Sequence, residues 1–318
     1  MTVIPGVTAI ITTYNRANHL QEAFDSILQQ TVPVSKVVII DDGSADNTEM
    51  ICQSLILKNE IPIVYRRFEN SGAPASRNRG LDEVNTTYTA FLDDDDLWQT
   101  DHIERCLMLF KKYPGAVSVG GLIIRDENRE VVITSNKDVF EDYERVHLNE
   151  FIRKKGPVTR RFYSTSLAAK VFRSDTVKAI RFDEDMKLRD DVLISWQIGE
   201  LGDTIFEKYP HARAKQLEHS LSSFTDNAPI SVRYEIDLQR TYYVTKIHEK
   251  IMNGKNRKDC PLLFKSYGQS LFNYTYALVM AKKYKEAWIP YLQSLKYTFT
   301  INHLKLLVRL LLTTVCQK

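Results

Sequence analysis

Short β-branched runs and helix-length segments alternate four times within the first hundred residues, and this alternation constrains the chain more than any other feature. Val7–Thr12 (VTAIIT) and Val37–Ile40 (VVII) are nearly continuous aliphatic runs, as strands are when helices cover both of their faces. Pro62–Arg66 (PIVYR) and Tyr88–Leu92 (YTAFL) repeat the signal. Between them, Asn18 with Gln21 three residues on reads as a helix cap, and Leu20, Ala23, Phe24, Ile27 and Leu28 mark one apolar face. Thr48–Lys58 and a segment around Ala75–Leu81 (ASRNRGL) supply the next two helices. The expected fold is α/β, with a mostly parallel, doubly wound sheet.

Sheets of that kind bind ligands beyond the carboxyl ends of their strands. Three polar clusters fall at such ends: Thr12-Thr13-Tyr14-Asn15-Arg16, Asp41-Asp42-Gly43-Ser44 and the unbroken run Asp93 to Asp96. The last is framed by apolar residues, Leu92 on one side and Leu97-Trp98 on the other. Adjacent carboxylates repel one another, and a strand end enclosed by apolar neighbours tolerates them only with a partner. A hard divalent cation, Mn²⁺ or Mg²⁺, has the right chemistry, because it takes oxygen ligands and shares them with a substrate phosphate. The plain alternative is a solvated acidic turn. Neither G-x-G-x-x-G nor G-x-x-x-x-G-K-[ST] occurs, so any phosphate falls to the metal and to side chains such as Arg16 and Arg77.

Beyond residue 100 the pattern loosens. Val117–Ile124 reads as a strand that Glu130–Thr134 pairs with across Asp126-Glu127-Asn128. Basic residues gather at Arg153-Lys154-Lys155 and Arg160-Arg161, and Ser164–Phe172 is a candidate to cross beneath the site. Arg189-Asp190-Asp191 opens a helix whose apolar face uses Val192, Leu193, Trp196 and Leu201. For Asp190 a capping or dipole role is sufficient. From Pro229 the chain reads as helices to its end, which divides it into a catalytic region 1–226 and a helical region 227–318. The last helix, Ile301–Val315, is amphipathic, with Asn302, Lys305, Arg309 and Thr313 as a narrow polar stripe. It is too short to cross a hydrocarbon core of ~30 Å, so it packs on its neighbours or lies on a membrane surface.

The bulk properties narrow the function. A net charge of +3 does not by itself imply nucleic-acid binding. Cys52, Cys106, Cys260 and Cys316 are scattered, with no C-x-x-C pair and no histidine at zinc-finger spacing, and they read as reduced thiols of a cytoplasmic protein. No signal peptide is expected, because the N-terminus runs straight into a strand.

Taken in order, TTYNR, DDGS, ASRNRGL, FLDDDDLW and the later acidic pair resemble family 2 glycosyltransferases. The resemblance implies a GT-A fold and transfer of a sugar from a nucleotide donor, most often a UDP-sugar, with inversion. It assigns Thr12, Tyr14 and Arg16 to the nucleotide pocket, Asp42 to the uracil or ribose, and Arg77 to the base or phosphates. The family's D-x-D falls on Asp93, near the ribose, and Asp95, on the metal. Four consecutive aspartates leave the register open, and Asp94 and Asp96 could share these roles. His219, in H-x-x-S, resembles a histidine that meets the metal or pyrophosphate. The family's Glu-Asp pair appears here as Asp190-Asp191, with Asp191 as the base. The helical tail resembles those of bacterial enzymes that build surface polysaccharides, which implies a glycan or lipid-linked glycan acceptor. Competing readings are a sugar-phosphate nucleotidyltransferase and a non-catalytic nucleotide-binding scaffold. The first would usually carry a glycine-rich phosphate loop, which TTYNR is not.

Overall fold

The computed structural model describes residues 4–127, 130–134, 145–146, 166–186, 188–215, 230–252 and 261–315. Those up to Lys215 belong to one compact unit and those from Ile230 onward to a second. The division expected at residue 226 lies outside the described residues.

The first unit opens with β1 (Ile4–Thr13), α1 (Ala17–Leu28), β2 (Lys36–Asp41), α2 (Thr48–Lys58), β3 (Ile63–Arg67), α3 (Ala73–Asp82) and β4 (Thr86–Asp93). There follow β5 (Asp96–Trp98), α4 (His102–Lys112), β6 (Ala116–Glu127), β7 (Glu130–Thr134) and β8 (Arg145–Val146). Last come β9 (Lys170–Arg173), α5 (Ser174–Ile180), α6 (Asp190–Gly199) and β10 (Asp203–Ala214). The sheet runs β3-β2-β1-β4-β9-β6-β10-β5, with β7 beside β6 and β8 beside β10.

Its first four strands are mutually parallel, as the alternation requires. Register then fixes the site. Thr12 lies opposite Ile40 on β2 and Asp93 on β4, and Thr13 lies opposite Asp41, so the three polar clusters leave the sheet at one edge. The other half is mixed. β9 runs antiparallel between β4 and β6, β6 and β10 are parallel to each other, and β5 returns antiparallel along β10. β7 pairs with β6 across the expected turn.

Continuous aliphatic runs arise because successive side chains enter opposite layers. Val7, Ala9, Ile11, Val37 and Ile39 pack with Leu20, Phe24 and Ile27 of α1. Ile10, Val38 and Ile40 pack on the other side with Leu81, Phe91, Ile194 and Ile198. Each of the valine, leucine, isoleucine and phenylalanine side chains contributes roughly 1.5–3 kcal/mol on burial. Two positions differ from expectation. Leu28 and Leu201 are exposed at the ends of their helices, and Ile194 and Ile198 complete the buried face of α6. Nor does Asn18 cap α1. The helix begins at Ala17, and Asp46, reaching across from the loop after β2, accepts the Ala17 amide at 3.0 Å.

The second unit is helical: α7 (Ile230–Met252), α8 (Pro261–Met280), α9 (Tyr284–Leu295) and α10 (Ile301–Val315). Leu278, Ala287, Tyr291, Leu306 and Leu310 form its core, and the Tyr291 hydroxyl donates to the His303 carbonyl at 3.0 Å. Helix α10 thus packs through His303, Leu306 and Leu310, while Leu304, Val308, Leu311 and Leu312 stay exposed. No helix among the described residues is long and apolar enough to cross a membrane.

Candidate active site

The loops after β1 and β2 are tied into one frame. The Asn15 amide donates to Ser44 Oγ at 2.8 Å and the Ala45 amide donates to Asn15 Oδ1 at 2.7 Å. Asn15 adopts a left-handed backbone, φ 53°, which asparagine tolerates better than most residues. Asp41 accepts the Ser44 amide and the Tyr65 hydroxyl, both at 2.7 Å. Asp42 accepts the amides of Ser71 at 2.9 Å and Gly72 at 2.8 Å, which shapes the entry to α3. Asp42 Oδ1 also faces Arg79 Nη1 at 3.5 Å. Thr12 is half-buried and Tyr14 is exposed beside them.

The aspartate run sits in a different environment. Strand β4 carries the chain to Asp93, and Asp96 already belongs to β5, so only Asp94 and Asp95 form the turn between the two strands. One guanidinium serves both: Arg16 Nη1 donates to Asp94 Oδ1 at 3.0 Å and to Asp95 Oδ2 at 2.7 Å. Burial pushes the Asp94 carboxyl up to about 6, with Arg16 opposing the rise. Asp95 is raised as well, by burial and then by the neighbouring Asp93.

Arg77, buried on α3, links the run to α6. It donates from Nη2 to Asp93 Oδ1 at 2.7 Å and from Nη1 to Asp190 Oδ2 at 2.5 Å. Asp190 is therefore an ion-pair partner as well as a residue of the first helical turn, and Arg77 stands between two carboxylates 97 residues apart in the chain. Arg189, left-handed at φ 63°, turns the backbone so that Asp190 and Asp191 begin α6. Asp191 is raised from the ordinary carboxylate range by burial and by Asp190, against the opposing pull of Arg77 and Lys170.

Lys170 is a residue the sequence reading passed over. It begins β9, within the segment expected to run beneath the site. Its ammonium is buried and donates to Ser195 Oγ at 2.7 Å, and Ser195 in turn donates to the Asp191 carbonyl at 2.6 Å. Burial lowers Lys170 to about 8, with Asp191 working the other way. The sequence signal is a lysine that follows the apolar run Leu167-Ala168-Ala169 and precedes Val171-Phe172. The structure thus brings Arg16, Arg77, Asp93, Asp94, Asp95 and Asp191 to one edge of the sheet. His219 lies outside the described residues, as do Arg153, Lys154, Lys155, Arg160 and Arg161.

The family described as Glycosyl transferase family 2 matches residues 8–172, which span β1 to β9 and just over half the chain. The chain belongs to this family of glycosyltransferases. Among its relatives, glycosyltransferase GlyA of Streptococcus pneumoniae is 28% identical over 210 residues, 64% of this chain and 30% of that protein. The minor teichoic acid biosynthesis protein GgaB of Bacillus subtilis is 27% identical over 187 residues, 58% of this chain and 20% of GgaB. The match therefore spans less than a third of either relative. In structure the chain is similar to Staphylococcus aureus TarS 1–349, with a TM-score of 0.62 at 18% identity, covering 85% of this chain and 72% of that one. TarS 1–349 in complex with UDP-GlcNAc gives 0.59 at 16% identity, covering 92% and 89%. The mannosyltransferase PcManGT of Pyrobaculum calidifontis, in complex with GDP-Man and Mn²⁺, gives 0.55 at 16% identity, covering 96% and 81%. At these identities the likeness is one of fold, and the fold is GT-A-like.

Proposed function

We propose that the chain is an inverting, metal-dependent glycosyltransferase. It would move a sugar from a nucleotide diphosphate donor, a UDP-sugar, to a hydroxyl of a glycan or lipid-linked glycan in surface-polysaccharide synthesis. One observation carries the reading: at a single sheet edge, Arg77 joins the aspartate run to the acidic start of α6.

The donor set suits a hard cation. It is all carboxylate oxygen, and crowding and burial already raise Asp94 and Asp95, which is the electrostatic deficit a divalent ion relieves. Asp95 would hold Mn²⁺ or Mg²⁺, with Asp93 toward the ribose and Asp94 beside them. When bound, the ion stabilises negative charge on the departing diphosphate. Arg16, half-exposed at the same carboxylates, is placed to turn toward a phosphate. Thr12, Tyr14 and Asp42 would line the nucleoside side.

Asp191 serves as general base. It takes the proton of the acceptor hydroxyl while that oxygen bonds to the anomeric carbon, and the bond to the diphosphate breaks with its electron pair leaving on the phosphate oxygen. Inversion follows from a single displacement. Asp190 and Lys170 set the charge around this carboxylate from opposite sides. The GDP-Man and Mn²⁺ bound by PcManGT and the UDP-GlcNAc bound by TarS support the donor and metal classes.

A lipid-linked acceptor would bring the enzyme to the cytoplasmic face of the membrane. The exposed apolar side of α10 suits that contact, and so do Lys282, Lys283, Lys285, Lys296, Lys305 and Arg309, set against Glu286 alone between residues 281 and 315. Sedimentation with anionic but not with zwitterionic vesicles is expected, and equal behaviour with both would remove this part of the reading. The reaction itself is tested by supplying UDP-sugars with glycan acceptors and reading the anomeric configuration of the product by NMR. A product of inverted configuration that Asp191→Asn no longer forms is the expected outcome. A retained configuration would overturn the mechanism.

A further inference from the structure

A second cluster of ligand-type side chains lies in the first unit, away from the aspartate run. His102 and Cys106 sit one turn apart on α4, and His211 comes from β10. All three are fully buried, and their Nδ1, Sγ and Nδ1 atoms converge. The His102 and His211 Nδ1 atoms are 2.8 Å apart, and Cys106 Sγ lies 3.8 Å from the first and 3.5 Å from the second.

We propose that His102, Cys106 and His211 form a structural site for a d¹⁰ transition-metal ion, Zn²⁺ or Cu⁺, chemically separate from the hard-cation chemistry of the aspartate run. Ordinary zinc–sulfur and zinc–nitrogen bond lengths in a tetrahedron separate sulfur from nitrogen by about 3.5 Å and nitrogen from nitrogen by about 3.3 Å. The sulfur–nitrogen spacing to His211 already fits, and the one to His102, at 3.8 Å, is longer by about 0.3 Å. The two imidazoles need to part by only about 0.5 Å to reach the tetrahedral separation.

The surroundings carry the case further. His211 Nε2 donates to Glu207 Oε1 at 2.8 Å, which leaves the Nδ1 lone pair facing the cluster. A carboxylate on the outer nitrogen is the usual way a ligating histidine is oriented. Glu207 is itself held by Arg105 at 3.3 Å. Space for the His211 ring exists because β6 has glycine at 121, where a Cβ would come within 2.3 Å of His211 Cδ2. As a plain hydrogen-bonded core, the cluster would offer one strong bond, His102 to His211, for three buried polar groups. An ion would use all three inward lone pairs at once, with the Cys106 thiol giving up its proton to solvent as the metal–sulfur bond forms. Soft donors of this kind select zinc or cuprous ion over Mn²⁺ and Mg²⁺.

Such an ion would clamp α4 to β10 directly behind β5, whose continuation is already fixed by the Gln99 amide donating to the His211 carbonyl at 2.9 Å. The proposal stands independently of the transferase reading. The test takes the full chain, purified without chelator after growth with added zinc, and measures its metal by elemental mass spectrometry. Stripped protein is then reloaded separately with Zn²⁺, Cu⁺ and Co²⁺. About one equivalent of zinc or copper, a thiolate-to-cobalt charge-transfer band and a melting temperature that falls on stripping are expected. The all-oxygen aspartate site cannot give that band. Cys106→Ala should abolish it, and His211→Gln should weaken Zn²⁺ binding at least ~10-fold, with circular dichroism checking that both variants fold. Wild-type protein that takes up less than about 0.1 equivalent of either ion would overturn the proposal, as would a cobalt band unchanged in Cys106→Ala. The wild-type measurements decide even where a variant does not fold.

Discussion

Two sets of carboxylates stand at the same sheet edge and are satisfied in opposite ways. After β2, Asp41, Asp42 and Asp46 accept backbone amides of Ser44, Ser71, Gly72 and Ala17 at 2.7 to 3.0 Å. Those donors are fixed by the chain's course and cannot leave. At the tip of β4, Asp93, Asp94 and Asp95 rely on two guanidiniums, Arg77 and Arg16. A guanidinium on a long side chain can be exchanged for a metal ion or turned toward a phosphate. The first set is tied into the loop backbone, which would hold Asp42 rigidly on the nucleoside side of the proposed donor pocket, and under the proposed function the second set takes the charged ligand. Titration behaviour separates them too. Burial works against Asp46, yet bonds from Thr48 and Ala17 hold it below the ordinary range, whereas burial raises Asp94 to about 6.

The contrast yields graded outcomes. Asp191→Asn should reduce transfer by about 10³-fold or more, the scale of losing a general base, with UDP binding retained. Asp46→Ala should leave transfer within about twofold, because its work is to cap α1. Transfer assays on the two variants side by side would break the comparison if their order reversed.

Stability should move the other way. Asp94 is protonated more readily folded than unfolded, so its penalty is present above pH 6 and disappears below the unfolded value of 3.8. Asp94→Asn should therefore stabilise the protein at pH 7 by about 1–3 kcal/mol, a gain that vanishes toward pH 4. Asp46 has the opposite sign, with its contribution lost as pH falls through its depressed value. Asp46→Ala should cost about 1 kcal/mol, or roughly 2–4 °C in melting temperature, at neutral pH. Thermal melts across pH check both.

The smallest effect is expected at Lys170. Lys170→Met removes a positive charge that favours ionised Asp191, so the acid limb of the rate profile should move to higher pH by about one unit. A profile that stays put would leave Lys170 a packing residue.

How much of this was legible depends on distance along the chain. Strands β1, β2 and β4 and helices α1 and α2 could be read because their apolar periods are local, and the polar clusters followed them. Helix α4 was missed although its buried Ile103, Cys106 and Phe110 keep a helical period, whereas the missed strands lack a period of their own. β5 is three residues long and shares its first with the aspartate run, β9 is four residues, and β10 carries Glu207, Lys208 and Arg213 within its length. The cap of α1 was misplaced because a residue from another loop, Asp46, competes better than Asn18. The ion pair of Arg77 with Asp190 spans 113 residues, and no local pattern announces it. The same holds for Cys106. It read as an ordinary thiol because its partner His211 arrives 105 residues later on a strand.

The most direct test of the exchangeable site is calorimetric titration with UDP, with and without Mn²⁺, on wild type, Asp95→Ala and Asp46→Ala. UDP binding that requires Mn²⁺, is weakened at least ~10-fold by Asp95→Ala and survives Asp46→Ala is the predicted result. Binding that is indifferent to Mn²⁺, or unchanged in Asp95→Ala, would contradict the assignment of the β4 tip as the place where the donor's diphosphate and its metal are held.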